Sequence, residues 1–190
     1  MKRTIPFYIL VLLFSIVDNQ LLSAQSYDNP SPRIRVIIDN DFAGDPDGVV
    51  ALAHHLMSPS VDIRAVISSY FPMKASPYGD KSEKEGAKIG KAIAKETISV
   101  IAPDKNILLL QGSNTPMENV NTPSESEGTD FIIKEAMRTD TKQRLYVCCG
   151  GSLNTIASAY LKNPGIAEKL TLIWIGGEEN LGEKRNMPRR

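Results

Sequence analysis

The chain has 190 residues, of which 42% are hydrophobic, and its 22 basic and 22 acidic side chains give a formal net charge of zero. This length suits one domain with a substantial core, and the composition is typical of a globular domain rather than a disordered or multi-span protein. The balanced charge and the lack of a basic run argue against a nucleic-acid-binding protein.

The N-terminus has the layout of a secretory signal peptide over residues 1–24. Lys2 and Arg3 precede an apolar run from Ile5 to Val17, and small residues at 23–24 offer a cleavage site. The run is shorter than the roughly 20 residues that a membrane-spanning helix needs. We therefore expect cleavage near Ala24, no stable membrane anchor afterwards, and a periplasmic or secreted protein. Residues 25–32 form a polar lead-in segment.

Strand-like and helix-like segments alternate after the lead-in. In chain order they are a strand at 33–39, a helix at 47–57, a strand at 61–70, a helix at 82–100, a strand at 106–111, a helix at 130–137, a strand at 145–149, a helix at 152–161 and a strand at 170–175. Nearly continuous apolar strands that alternate with helices are typical of a mainly parallel sheet covered on both faces. The sequence thus predicts a Rossmann-like α/β fold.

The fourth and fifth predicted strands contain the cysteines and the tryptophan of the chain. Cys148 and Cys149 are the only cysteines, and neighbours on a strand point to opposite faces, so they are poor disulfide partners. We interpret both as small hydrophobic residues of a buried strand, and we expect Trp174 to lie in the core as well.

An acidic cluster follows the first strand, with four carboxylates within nine residues: Asp39, Asp41, Asp45 and Asp47. Each raises the free energy of ionising its neighbours. The carboxyl end of a strand is where open α/β sheets bind ligands, and clustered oxygens are what a hard cation such as calcium requires. The cluster therefore predicts a metal-centred site. Asp47 alone is explained equally well as a helix N-cap, but that role does not explain the other three.

Two sequence blocks resemble the nucleoside hydrolases of the inosine–uridine-preferring type. The first is the Asp39-Asn-Asp41 strand end with its glycine-containing turn and Ala-Leu helix. The second is Gly150-Gly-Ser-Leu-Asn-Thr-Ile-Ala157, followed by Asn163-Pro164 and the strand that ends in Gly176-Gly177. The resemblance implies a calcium-dependent hydrolase of N-glycosidic bonds in ribonucleosides, with a small-molecule nucleoside as its partner.

The resemblance also implies roles for individual residues. Asp41 matches the general base that activates a water and also binds calcium, Asp39 matches a carboxylate that supports the metal site, and Asp47 matches a residue that holds the ribose hydroxyls. The family has a second acid next to Asp47, where this chain has Gly48, so we expect Asp45 to supply the missing metal ligand. The backbone carbonyl of Gly150 is the expected ligand from the fourth strand.

The family pattern continues with a ribose-binding stretch, an acid for the leaving group and a final calcium-binding Asp, none of which has a counterpart before Arg190. We therefore expect residues 33–190 to form an incomplete nucleoside hydrolase-like domain that binds calcium weakly and turns over slowly. The sequence leaves the formation of a homo-oligomer open.

Two alternatives remain at this point. A phosphatase of the haloacid-dehalogenase type would use Asp39 as its nucleophile and Asp41 as its acid/base with magnesium, but it would have a Thr or Val where Ala43 stands, and it does not explain the second block. A non-catalytic nucleoside- or sugar-binding module would keep the fold without the chemistry.

Overall fold

The computed structural model describes residues 31–44, 46–76 and 84–176. The predicted signal peptide, most of the lead-in segment, Asp45 and the tail from Gly177 onward lie outside these residues. The strands are β1 (Ile34–Asn40), β2 (Val61–Ser68), β3 (Leu109–Gln111), β4 (Leu145–Cys149) and β5 (Leu170–Trp174). The helices are α1 (Pro46–Met57), α2 (Gly86–Ile101), α3 (Glu127–Ala136) and α4 (Asn154–Lys162), with short 3₁₀ helices at Met73–Ala75 and Pro164–Glu168.

The five strands form one parallel sheet in the order β3-β2-β1-β4-β5. From the central strand β1 the chain proceeds outward to β2 and β3, and then crosses to β4 and β5 on the other side. The strand order therefore reverses between β1 and β4. In open α/β sheets, the crevice at the carboxyl ends of two such strands is the usual ligand site.

The core has two layers, one on each face of the sheet. On one face Ile37 packs with residues of α3 and α4, including Ile132 and Ile156. On the other face Val36 and Ile38 pack with residues of α1 and α2 that include Leu52 and Ala94. Burying one such Ile or Leu fully contributes about 1.5–3 kcal/mol, so the two layers fix β1 firmly between four helices.

The predicted α/β class, with a parallel sheet and helices on both faces, is confirmed. Several element boundaries were wrong, among them the start of α2, which lies at Gly86 rather than at residue 82, and the end of β2, which lies at Ser68 rather than at residue 70. Strand β3 has only three residues, because only Leu109–Gln111 pair with β2. Helix α3 begins at Glu127 rather than at residue 130, because the Ser126 hydroxyl caps it by accepting a hydrogen bond from the Thr129 N–H at 3.1 Å.

Strand β5 lies at one edge of the sheet, and its large apolar side chains are exposed. Trp174 is 45% exposed, so the expectation that it belongs to the core was wrong. The physical reason is its position, since within the described residues no strand pairs with the outer edge of β5. None of the helices in the described ranges is long and apolar enough to span a membrane.

Candidate active site

The carboxyl ends of β1 and β4 bring the acidic cluster next to the glycine-containing second block. The Gly150 N–H donates to the Asp39 carbonyl at 3.0 Å, which extends the pairing of the two strands beyond Cys149. The loop after β4 is thus held against the loop after β1. Residues that are about 110 positions apart in the sequence meet at one edge of the sheet.

Asp39 is fully buried, and its carboxylate is the least satisfied polar group of this region. Neither carboxylate oxygen makes a hydrogen bond of normal geometry. The pKa of Asp39 is raised to about 7, mainly by burial and to a smaller extent by the nearby charge of Asp41, while the neighbouring Ser69 and Thr155 hydroxyls oppose this rise. Those two hydroxyls also lack a hydrogen bond of normal geometry. A buried carboxylate in this state is suited to receive a cation or a proton.

Asp41 follows β1 directly and is only partly buried. Its carboxylate lies against the backbone of Gly151, where an added Cβ would stand 2.7 Å from Asp41 Oδ1. Its carbonyl accepts a hydrogen bond from the Gly44 N–H at 2.6 Å, which closes the turn toward α1. Asp41 therefore combines a fixed backbone with a side chain that solvent can reach.

Asp47 is exposed in the first turn of α1, and its Oδ1 accepts a hydrogen bond from the Gly48 N–H at 2.8 Å. A carboxylate is favourable there because the amino end of a helix carries a partial positive charge. The N-cap interpretation was wrong, because α1 already begins at Pro46 and Asp47 lies within its first turn. The ribose-binding role stays a prediction.

The predicted metal ligands divide into those that the structure describes and one that it does not. Asp39, Asp41 and Gly150 converge at the sheet edge, whereas Asp45 lies outside the described residues. Among the described residues, no group of three or more His, Cys, Asp or Glu side chains could hold a metal ion. The two described carboxylates still fit a cation, because Asp39 has two buried oxygens without hydrogen bonds and Asp41 lies close enough to affect its pKa.

Comparison with known proteins gives matches at the level of structure. A scan against protein-family models found no match, and a search of curated proteins found none. Among solved structures, the inosine-uridine preferring nucleoside hydrolase of Bacillus anthracis aligns with 76% of this chain at 16% identity and a TM-score of 0.53. The purine-preferring ribonucleoside hydrolase of Gardnerella vaginalis aligns with 76% at 17% identity and the same TM-score of 0.53.

This chain has the nucleoside hydrolase fold. A nucleoside hydrolase-related protein of Saccharophagus degradans that is associated with carbohydrate metabolism also aligns, with 78% of this chain at 19% identity and a TM-score of 0.52. The chain spans about half the length of these proteins, covering 51%, 49% and 40% of their chains in the order given. The resemblance inferred from the two sequence blocks is thus confirmed for the fold.

Within the nucleoside hydrolase fold, the sequence did not reveal four residues that shape the site: Asn40, Ser69, Gly151 and Thr155. Ser69 follows β2 at the same edge, and Thr155 lies in the second block, so a search for hydroxyls near strand ends would have found both. A contact of Trp174 with the site was also not predicted: its indole N–H donates a hydrogen bond to the Gly151 carbonyl at 2.9 Å. An exposed aromatic residue thereby steadies the loop that faces Asp41.

Proposed function

We propose that this chain is a hydrolase of N-glycosidic bonds in ribonucleosides that depends on calcium, with Asp41 as the general base. One observation carries the proposal: the buried Asp39 carboxylate, without hydrogen bonds of normal geometry, stands beside Asp41 at the carboxyl edge of a nucleoside hydrolase fold. A folding role alone does not account for a buried carboxylate left in this state.

The residues suggest how the chemistry proceeds. Cleavage of an N-glycosidic bond leads through a sugar with oxocarbenium character, and a positioned carboxylate directs water to one face of it. Asp41 is suited to accept the proton of that water, because its backbone is fixed and its side chain is partly exposed. Asp47, at the exposed start of α1, is the proposed partner of the ribose hydroxyls.

Calcium would be held by Asp39, Asp41, the carbonyl of Gly150, and Asp45 outside the described residues. When bound, it would supply positive charge that favours the ionised carboxylates and attracts the sugar hydroxyls. Without it, the raised pKa of Asp39 favours the protonated carboxyl below about pH 7. Water would complete the ligand set, so we expect weak binding.

The test is release of base from inosine and from uridine by the purified chain, with calcium and with a chelator. We expect slow release that the chelator stops, and loss of release in Asp41→Asn. Asp104→Asn, an exposed carboxylate in the turn before β3, is the matched control and should behave as wild type.

Other outcomes would support the alternatives. Phosphate release from p-nitrophenyl phosphate with magnesium, without release of base, would favour the phosphatase. Ribose or inosine binding by calorimetry without turnover would favour a binding module. Sub-micromolar binding of calcium would contradict the expectation of an incomplete ligand set.

A further inference from the structure

Asn40 lies between the two carboxylates Asp39 and Asp41, and its side chain is buried. It is the last residue of β1, and its backbone carbonyl accepts a hydrogen bond from the Ser69 N–H at 2.9 Å. Its side-chain Oδ1 accepts a hydrogen bond from the Asp41 N–H at 2.9 Å. The Asn40 amide therefore fixes the backbone where β1 ends and Asp41 follows.

The Asn40 amide fills a space beside Gly48 and Gly150 that is open because neither residue has a side chain. A Cβ added at Gly48, in the first turn of α1, would stand 2.8 Å from Asn40 Oδ1 and 3.0 Å from its Cγ. A Cβ added at Gly150, after β4, would come closer still to Nδ2 and would stand 2.9 Å from Cγ. Real Cβ contacts are not this short, so a side chain at either position requires the amide to move.

Gly150 and Gly151 lie against two consecutive side chains at the end of β1, those of Asn40 and Asp41. Gly150 faces the Asn40 amide, and Gly151 faces the Asp41 carboxylate, whose Oδ1 would lie 2.7 Å from an added Cβ. Neither glycine, nor Gly48, has a backbone conformation that other residues avoid. Close approach to Asn40 and Asp41, rather than backbone strain, is therefore the reason for glycine at all three positions.

We propose that Asn40 is a positioning residue that joins the β1 end, the start of α1 and the β4–α4 loop, and thereby fixes the direction of Asp41. A side chain at position 48 requires the Asn40 amide to shift from its present position. The Gly48 that departs from the family pattern is thus explained by its neighbour. The catalytic part of this inference rests on the proposed function, whereas the steric part does not.

The choice of asparagine follows from the chemistry of the place. The Asp41 N–H needs an acceptor, which an apolar side chain would not provide. An aspartate would provide one but would add a further negative charge next to Asp39 and Asp41. The neutral amide supplies the acceptor without that charge.

A double-mutant cycle tests the proposal, using Gly48→Ala, Asn40→Ala and the combination of the two. Trp174 is the only tryptophan of the chain, and its indole N–H binds the Gly151 carbonyl, so its fluorescence reports on the loop that faces Asp41. Gly48 and Trp174 lie on different elements. A change in Trp174 emission caused by Gly48→Ala therefore reports displacement of the amide between them.

We expect Gly48→Ala alone to lower the unfolding midpoint, shift the Trp174 emission and reduce kcat for inosine about 10- to 100-fold, with a smaller change in KM. In the Asn40→Ala background, the same alanine should leave all three unchanged or raise the midpoint, because alanine normally favours a helix over glycine. Asn40→Asp keeps the acceptor and should keep the wild-type emission. Gly165→Ala is the control, since an added Cβ there meets only Asn163 Oδ1, at 3.1 Å.

Equal effects of Gly48→Ala in both backgrounds would overturn the proposal, as would an unchanged midpoint and emission in Gly48→Ala alone. If the wild-type chain releases no base, the proposed function fails, but the emission and unfolding cycle still decides whether Asn40 fills this space. If base is released and the cycle shows no coupling, the positioning role fails and the proposed function stands.

Discussion

The buried polar side chains at the two ends of β1 differ in their hydrogen bonding. At the amino end, the Arg35 guanidinium donates to Glu135 Oε1 at 2.7 Å, to the Glu135 carbonyl at 2.9 Å and to the Gln143 carbonyl at 3.0 and 3.1 Å. At the carboxyl end, neither oxygen of Asp39 has a hydrogen bond of normal geometry. Both residues are buried, and they are separated on the same face of the strand only by Ile37.

The acids at these two ends respond differently to burial. Burial raises the pKa of Glu135, but hydrogen bonds and charges from Arg35, Arg64 and Arg138 outweigh it and hold the pKa below its usual range. Burial dominates at Asp39 and raises its pKa to about 7. A polar group that serves the fold is satisfied within the fold, whereas Asp39 is left for something that the chain does not itself supply.

Among variants that test this contrast, Glu135→Ala should change the free energy of unfolding most. It leaves Arg35 buried without its carboxylate, so we expect a loss of about 3–5 kcal/mol in the free energy of unfolding. Urea unfolding measures this loss. Asp140→Asn, which changes an exposed partner of Arg138, is the control and should change stability little. A loss below about 1 kcal/mol in Glu135→Ala would mean that water replaces the carboxylate.

Asp39→Asn, by contrast, should raise the free energy of unfolding in the presence of a chelator. The folded state keeps the Asp39 proton up to about pH 7, whereas the unfolded state loses it near pH 4, so folding stability falls as the pH rises between these values. The variant removes that fall and should be more stable than wild type at pH 8 by roughly 1–4 kcal/mol.

The control for this experiment is about pH 3 or below, where position 39 is neutral in the folded and unfolded states of both proteins and the pH-dependent difference should vanish. Calcium should narrow this difference at pH 8, since only the wild type has the carboxylate to bind it. A variant that is less stable than wild type at pH 8 under chelation would show that the ionised carboxylate is satisfied after all.

A smaller effect is expected from Thr155→Val, which keeps the shape of the side chain and removes the hydroxyl. The hydroxyl lowers the pKa of Asp39, so its loss should raise that pKa further. We expect the pH at which stability falls in the presence of chelator to move upward, with a change in stability of about 0.5–1.5 kcal/mol. Thr141→Val, in the turn before β4, is a control with no contact to Asp39. An unchanged pH profile in Thr155→Val would contradict the hydroxyl's role.

The smallest effect should follow from Trp174→Phe, which removes the hydrogen bond to the Gly151 carbonyl. The indole is half exposed, so we expect a stability loss of at most about 1 kcal/mol. Steady-state kinetics with inosine should show a modest fall in kcat, because the loop that faces Asp41 is less well held. Tyr160→Phe, at an exposed side chain of α4, provides the comparison. Equal kinetics in the two variants would exclude a role for the indole in the site.

The sequence predicted much of the fold because a buried parallel strand must be apolar on both sides. That requirement marked all five strands, and it also marked the Asp39–Asp41 strand end, where the apolar run stops at carboxylates. The cap of α3 was missed because Ser126 lies in a stretch of Ser, Glu and Gly that is typical of a loop. Trp174 was misplaced because an apolar strand has the same pattern in the centre of a sheet and at its edge.

The pairings within the site could not be read from the chain. Arg35 and Glu135 are 100 residues apart, and their contact exists only because β1 lies beside β4 with α3 packed over that face. The same strand order brings Gly150 to Asn40 and Gly151 to Asp41.

The sequence by itself determined the α/β class and the kind of site, because hydrophobic periodicity and clustered charge are local properties. Only the tertiary structure decided which carboxylate is left without hydrogen bonds of normal geometry and which one is held by its neighbours. It also decided why position 48 carries a glycine. Those outcomes depend on burial and on close contacts between distant segments, which arise only when the strands take their order in the sheet.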